Sequence, residues 1–274
     1  MSTGLLRKIF DMRLLPLMLV LATPVGAHEL WIEPSNWRPA ATGQLDADLV
    51  NGEFFEGVDL ALLKSWYSRF EIVSGDMQVA VTGRMGSIPA LNQPVLGDGL
   101  HVVVYQSQPS LATYQDYEEF LKFTRHKDLG NVDAQHTLRG LVKTNFKEVF
   151  RRYSKALIGV GTATGADKRE GLETEIVALD NPYAGPLKEM RVQVFYQDQI
   201  RADAQVEVFE KSADGSVITT MQRTDAQGVA SIPVRPAHTY MIDAVVLRIP
   251  SDAYVADFGA VWETLWANLT FAVP

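Results

Sequence analysis

The chain contains no cysteine among its 274 residues. That absence excludes disulfide bonds, zinc sites built on thiolates and thiol catalysis together. Motifs of nucleotide binding and hydrolysis are also missing, because there is no phosphate-binding loop, no G-x-G-x-x-G after a strand, no G-x-S-x-G and no H-E-x-x-H. We therefore expect a protein that is not an enzyme. Its stability should come from core burial, since 47% of the residues are hydrophobic.

Basic stripes with interleaved aromatic residues are absent as well. The formal net charge is -8, and it becomes -10 without residues 1–27, which carry three bases and one acid. An acidic surface of this kind repels nucleic acid and anionic lipid and suits cations. We expect no nucleic-acid partner.

The first 27 residues have the pattern of a secretory signal peptide. A basic start with Arg7, Lys8 and Arg13 precedes an apolar run over residues 14–25, and Val25-Gly26-Ala27 supplies the small-residue cleavage site. The run is about a dozen residues, shorter than the ~20 that span a bilayer, although an uncleaved anchor is the alternative. We predict cleavage after Ala27, a periplasmic location and no membrane-spanning segment after cleavage.

The remaining sequence is dominated by β patterns. Residues 28–165 are predicted to form an N-terminal β domain that includes the β-branched run "LHVVVY" and the buried strand "YSKALIGVG". A helix capped by Thr113 is predicted as an insertion against the sheet, and a second short helix is predicted over residues 145–150. The first helix rests on the spacing of Tyr114, Tyr117, Phe120, Leu121 and Thr124.

A second segment follows the small and charged stretch "GTATGADKREG", residues 161–171, which is typical of a linker or a long surface loop. Residues 170–274 contain seven short strands about ten residues apart, a rhythm that predicts an immunoglobulin-like or prealbumin-like β-sandwich. The predicted fold class is mainly β, with two β-sandwich-like domains and a short helical insertion in the first.

His28 is the first candidate metal ligand. Cleavage after Ala27 gives this residue an imidazole and a free α-amine of pKa ~8, which together chelate a divalent metal. Nitrogen-rich sites suit Cu(II) and Ni(II), and imidazole also serves Co(II) and Zn(II). The alternative is that a histidine merely follows the cleavage site.

Few other histidines are available as further metal ligands. His101 heads an apolar strand, where a histidine is more often satisfied within the core. His126 ends the predicted helix, where a cation also favours the helix dipole. His136 follows in a polar segment and converges with His126 if that segment folds back. Glu29 is expected to support a ligand or to face solvent, and His238 is expected to be structural.

Several segments resemble the exported bacterial proteins of the DUF4198 family. They are "AHELWIEP", "GLHVVVYQSQPSLATYQDYEEF", "RRYSKALIGVG", "GLETEIVALDNPY", "VQVFYQDQIRADAQVEVF" with "RTDAQGVASIPV", and "VWETLWANLTF". This family is grouped with the periplasmic component of nickel and cobalt uptake systems, related to NikM-like proteins. The resemblance implies a periplasmic protein that binds nickel or cobalt, with copper or zinc as alternatives, and a membrane metal transporter as partner. His28 would face the metal, with His101, His126 and His136 as further candidates.

Two segments depart from the pattern of the family. The segment 197–206 lacks the glycine and proline of a prealbumin-like strand pair, and "DAVVLR", Asp243 to Arg248, lacks the histidine that many relatives carry there.

Two other functions are alternatives to metal delivery. One is a copper oxidase with an N-terminal histidine brace. The other is a module for protein or glycan interaction in which His28 has no metal role.

Overall fold

The computed structural model of this protein describes residues 28–274, so the predicted signal peptide lies outside the described residues. The helices are α1 (Tyr117–His126), α2 (Val132–Leu138) and α3 (Asp252–Phe258). The strands are β1 (Glu29–Pro34), β2 (Gln44–Glu53), β3 (Glu56–Leu60), β4 (Tyr67–Ser74), β5 (Met77–Ala80), β6 (Leu91–Pro94), β7 (Gly99–Ser107), β8 (Ser110–Tyr114), β9 (Phe146–Val160), β10 (Thr174–Ala178), β11 (Glu189–Tyr196), β12 (Gln199–Ile200), β13 (Gln205–Lys211), β14 (Val217–Arg223), β15 (Val229–Pro233), β16 (His238–Arg248) and β17 (Ala260–Val273).

A central nine-stranded sheet organises the fold. Its order is β14-β13-β16-β17-β9-β7-β4-β5, and β8 also pairs with β9. The strands pair antiparallel except β17 and β9, which are parallel. Because β9 belongs to the first predicted segment and β17 to the second, the two segments share this sheet. The boundary predicted between them falls in the loop from β9 to β10, and the division into two domains stays a prediction.

Two smaller sheets cover the central one. Alternation along β7 puts Val102 and Val104 on one face and Val103 and Tyr105 on the other. The first face shares a core cluster with residues of β10, β11 and β15, and the second shares one with β1, β2 and β6. The prediction of a mainly β, sandwich-like fold is therefore confirmed.

Helix α1 is confirmed, but its predicted start is wrong. It begins at Tyr117, after Asp116, whose Oδ1 accepts the N–H of Glu118 at 2.9 Å. Tyr114 is instead the last residue of β8, where it pairs with Phe146. Phe120 and Leu121 lie on the buried face of this helix, as their helical spacing predicts.

The second predicted helix, over residues 145–150, is also wrong, because Phe146 begins β9 and pairs into the central sheet. The second helix is α2, capped by Asn131, whose Oδ1 accepts the N–H of Ala134 at 3.1 Å. The start of β9 pairs with β8, and it also pairs with β17, which is more than a hundred residues away along the chain. Such long-range pairing overrides the local preference of residues 145–150.

The segment 161–171, predicted as a linker or a long surface loop, contacts the strands on either side of it. Lys155 in β9 donates to Asp167 Oδ1 at 2.7 Å and to Glu175 Oε1 at 3.1 Å. Asp167 also accepts the N–H of Ala178 at 2.8 Å. Burial raises the pKa of the Asp167 carboxyl despite the attraction of Lys155. These contacts fix the loop to both β9 and β10.

Within residues 28–274, no helix combines the length and the apolar character that crossing a bilayer requires.

Candidate functional site

A cleft of about 270 Å³ lies where the end of α1 meets β1, β2 and β13. We call it the α1 cleft. It is lined by Glu29, Glu53, Phe54, Lys122, Phe123, His126, Lys127, Glu207 and Phe209. Three carboxylates, one imidazole and two ammonium groups therefore surround one small space.

One of the predicted metal ligands, His126, lines this cleft. His126 Nε2 is 2.9 Å from Glu207 Oε1, and the His126 side chain is 54% exposed whereas that of Glu207 is 3% exposed. A second, His28, has its Nε2 3.9 Å from Oε1 of Glu53, which also lines the cleft. Each imidazole thus has a carboxylate of the cleft as neighbour.

Behind His126, three acidic residues form a buried group that we call the carboxylate triad: Glu29, Glu207 and Asp243. One carboxylate oxygen of each lies within 4.8 Å of the others. The Nζ of Lys127, the residue after α1, lies between the three carboxylates. It is 2.8 Å from Glu29 Oε1, 2.6 Å from Glu207 Oε2 and 3.0 Å from Asp243 Oδ2. The ammonium also lies 4.9 Å from the centre of the Trp266 ring, so helix α1 is tied to β1, β13 and β16 through one cation.

A second buried cation lies beside the triad. The Arg152 guanidinium stacks 4.2 Å from the Trp266 ring and donates through Nη2 to the backbone carbonyl of His28. Its Nε and Nη1 have no hydrogen-bond partner in the described part of the chain, and neither does Asp243 Oδ1. Glu148, fully buried, accepts from the Tyr114 hydroxyl at 2.9 Å and from Thr264.

Further charged groups surround the triad. Besides Lys127, the guanidinium of Arg152 attracts Asp243 and Glu29, and that of Arg201 attracts Asp243. Buried charges are ordinarily paired, neutralised by proton transfer or bound to a metal ion. The buried carboxylates of the triad therefore all have cationic neighbours.

The pKa shifts reflect the burial of these groups and their mutual interactions. Burial raises the pKa of Asp243 to about 6, against the attraction of Lys127 and with further repulsion from Glu29 and Glu207. Burial also raises the pKa of Glu148 and lowers that of Arg152 to about 10. For Lys127, burial acts to lower the pKa, but the attraction of Asp243, Glu29 and Glu207 outweighs it and the net shift is upward. Lys127 is therefore held as an ammonium ion.

The other two predicted ligands lie elsewhere. His101 is buried, its Nε2 accepts the N–H of Leu96 at 2.9 Å, and its Nδ1 lies 3.1 Å from the carbonyl of Gly99. His136 is a buried residue of α2. Its Nδ1 accepts the indole N–H of Trp262 at 3.0 Å, and its Nε2 lies 3.0 Å from the carbonyl of Val142. Burial lowers the pKa of both imidazoles. With both ring nitrogens engaged, neither presents a free lone pair, and neither lines the α1 cleft.

Sequence reasoning missed most of the residues behind the cleft. Glu29 is 5% exposed and paired to Lys127, so it does not face solvent. A signal for Asp243 was present, because a lone acid inside the apolar run "YMIDAVV" predicts a buried charge with a partner. Lys127 and Glu207 carry no such signal, since a lysine after a helix and a glutamate in an alternating strand ordinarily face water.

Comparison with known proteins identifies the family of this chain. A family described as a domain of unknown function, DUF4198, matches residues 25–248. No curated protein matches the chain. One solved structure with similarity is the crystal structure of a tetra-tandem repeat in the extending region of a large adhesion protein, at 12% identity and a TM-score of 0.20, with 90% of this chain and 50% of that chain covered.

Proposed function

Because the chain belongs to the DUF4198 family, whose function is unknown, we propose from the donor groups of the α1 cleft that the protein binds a transition metal ion. From the signal-peptide pattern and from the resemblance to exported proteins grouped with nickel and cobalt uptake, we further propose that it captures nickel or cobalt in the periplasm and hands it to a membrane uptake system, with no chemistry on a substrate. The observation that carries this proposal is the imidazole of His126 against the buried Glu207 carboxylate at 2.9 Å, inside a cleft with two further acids.

The donor set supports a borderline metal. Imidazole suits nickel, cobalt, copper and zinc, whereas carboxylates alone suit magnesium, calcium and manganese. His126, Glu207 and Glu53 lie in or at the cleft, and His28 adds its imidazole next to Glu53. Cleavage after Ala27 adds the α-amine of His28, which closes a chelate with its own ring.

The acidic lining of the cleft supports the same proposal. Glu29, Glu53 and Glu207 line it, and carboxylates that are partly shielded from water attract a divalent cation more strongly than fully exposed ones. The hydrogen bond that Arg152 makes to the His28 carbonyl fixes the backbone of the proposed first ligand.

Calorimetry with Ni(II), Co(II), Cu(II) and Zn(II) tests the proposal on protein cut naturally after Ala27. His126→Ala should weaken binding by at least ~10-fold. One extra residue before His28, which blocks the amine, should do the same. The matched control is His238→Ala, because His238 lies outside the cleft with its Nδ1 at 2.8 Å from the Pro236 carbonyl.

Equal affinity in the natural, extended and His126→Ala forms would refute a site at this cleft. Absence of binding in all forms would refute metal binding, and a module for protein or glycan interaction would take its place.

A further inference from the structure

A groove of about 550 Å³ lies between the loop from β10 to β11, the segment after β15 and the end of β17. Its wall is mainly apolar and includes Tyr183, Leu187, Val234 and Val273. We call it the Tyr183 groove. It has about twice the volume of the α1 cleft and shares no lining residue with it. Sites that hold small organic molecules ordinarily measure about 300–1,000 Å³, so the groove has the size of a ligand site.

The wall of the Tyr183 groove is held in place by the fold. Tyr183 is buried, and its hydroxyl donates to the carbonyl of Leu157 in β9 at 2.7 Å. Its backbone N–H donates to Asn181 Oδ1 at 2.9 Å. Pro182 and Pro186 line the groove on either side of it in sequence, and their rings fix the backbone φ angle. A wall that is already ordered spares a ligand the entropy cost of ordering it.

The charged side chains that line this groove are both basic. They are Arg38 and Lys188, and no acidic side chain lines it, although the chain without residues 1–27 has a net charge of -10. The Arg38 guanidinium lies 5.5 Å from the centre of the Tyr183 ring and donates through Nη2 to the Gly161 carbonyl at 3.1 Å. A guanidinium has five N–H donors, so this bond leaves others for a ligand.

Gly159 gives Arg38 and Tyr183 the room they need. A Cβ added at this glycine would lie 2.6 Å from Tyr183 Cγ and 2.9 Å from Arg38 Cδ, too close for either side chain to keep its place. The stem of Arg38 and the ring of Tyr183 therefore pack directly on the backbone of β9. The groove thus combines a fixed apolar wall with a cation that the fold positions.

We propose that the Tyr183 groove binds a small amphiphilic carboxylate of the fatty-acid type, with an unbranched apolar chain and a single negative charge. The chain lies against Leu187, Val234 and Val273, because burial of each methylene group is favourable. The carboxylate pairs with Arg38 or Lys188, since hydrogen bonds between a cation and a carboxylate are among the strongest in proteins. This site is separate from the α1 cleft and does not depend on metal binding.

Calorimetry on the naturally cut, unsubstituted protein tests the proposal. Hexanoate, octanoate and decanoate are titrated below their micelle concentrations, in a buffer that contains a chelator so that no metal takes part. The affinity should rise on the order of 10-fold with each step of two methylene groups, as burial of the chain requires. The neutral 1-octanol has the same chain as octanoate and should bind about 10-fold more weakly, because it lacks the charge that the cations attract.

Variants of the two cations give a second test. The double variant Arg38→Met and Lys188→Met keeps both apolar stems and removes both charges, so octanoate should bind at least ~10-fold more weakly while the affinity for 1-octanol stays within about 2-fold. Both residues are exposed, so the variant should still fold. The matched control is Arg84→Met, an exposed cation that does not line the groove, and it should leave both affinities unchanged.

Three results would overturn the proposal, and each leaves the proposed function untouched. The first is the same affinity for octanoate in the natural protein and in the double variant. The second is an affinity that does not grow with chain length, or no binding of any of the three carboxylates. The third is sedimentation with vesicles of phosphatidylethanolamine and phosphatidylglycerol by a protein that does not bind free octanoate, which would assign the groove to membrane lipid instead.

Discussion

Replacing Asp243 by asparagine should make the protein more stable at neutral pH and less sensitive to pH when no metal is present. Burial raises the pKa of Asp243 to about 6 from its ordinary value of 3.8. The folded state therefore binds the proton more tightly than the unfolded state. The stability that this proton contributes is fully present below pH 3.8 and is lost as the pH rises through about 6. Asparagine resembles the protonated form and does not ionise.

The magnitude follows from the shift of about two pKa units, since one unit corresponds to about 1.4 kcal/mol. The full penalty for ionising Asp243 in the folded state is about 3 kcal/mol above pH 7. About one third of it is already present at pH 4.5, because the unfolded-state carboxyl is largely ionised there. The stability of Asp243→Asn relative to the natural protein should therefore increase by about 2 kcal/mol between pH 4.5 and 7.5.

Urea unfolding in buffers that contain a chelator, at steps of half a pH unit, measures this difference. Asp76→Asn is the matched control, because Asp76 is exposed in the turn between β4 and β5 and its removal should leave the pH profile unchanged. A difference between Asp243→Asn and the natural protein that stays constant across this range would refute the reasoning. So would a variant that is less stable at every pH, since the Lys127 ion pair would then outweigh burial.

Two further predictions concern the supports of the fold. Trp262→Phe removes the indole N–H that His136 Nδ1 accepts at 3.0 Å in a buried site, so the free energy of unfolding should fall by about 2–4 kcal/mol, measured by urea unfolding. Trp66→Phe, at a 45% exposed position, should cost less than about 1 kcal/mol, and an equal loss in both variants would contradict the argument. Arg248→Met removes the two hydrogen bonds, at 2.7 and 2.8 Å, that hold the buried Glu263 carboxylate, and should lower stability at pH 7 by about 3–5 kcal/mol in thermal or urea unfolding. The exposed Arg84→Met is its control, and a loss of similar size there would contradict a specific role for the buried pair.

Regular patterns in the sequence predicted much of the secondary structure. The alternating and β-branched segments in residues 170–274 became β10, β11 and β13 to β17, and "LHVVVY" lies within β7. Each of these strands has a buried face that its own residues specify. The helix at residues 117–126 is also detectable, because its apolar spacing is local, although the pattern predicts the cap at Thr113, three residues before Asp116.

The site was only partly predictable. The sequence singled out His28, because a histidine at a new N-terminus offers an amine and an imidazole to one ion. It left His101, His126 and His136 together as further candidates, since a histidine that hydrogen-bonds within the core looks the same in sequence as one that binds a metal. Which ring nitrogens are engaged depends on Trp262, Leu96 and two backbone carbonyls.

The sequence by itself determined the absence of thiol chemistry, the acidic net charge and the positions of most strands, because composition and periodicity are local properties. Only the tertiary structure decided that β9 lies parallel to β17 in one sheet. It also decided that Glu29, Glu207 and Asp243 surround Lys127. These residues are separated by 80 to 116 positions from Lys127 along the chain. Their meeting depends on long-range strand pairing and on burial of charge, and neither is encoded in the residues next to them.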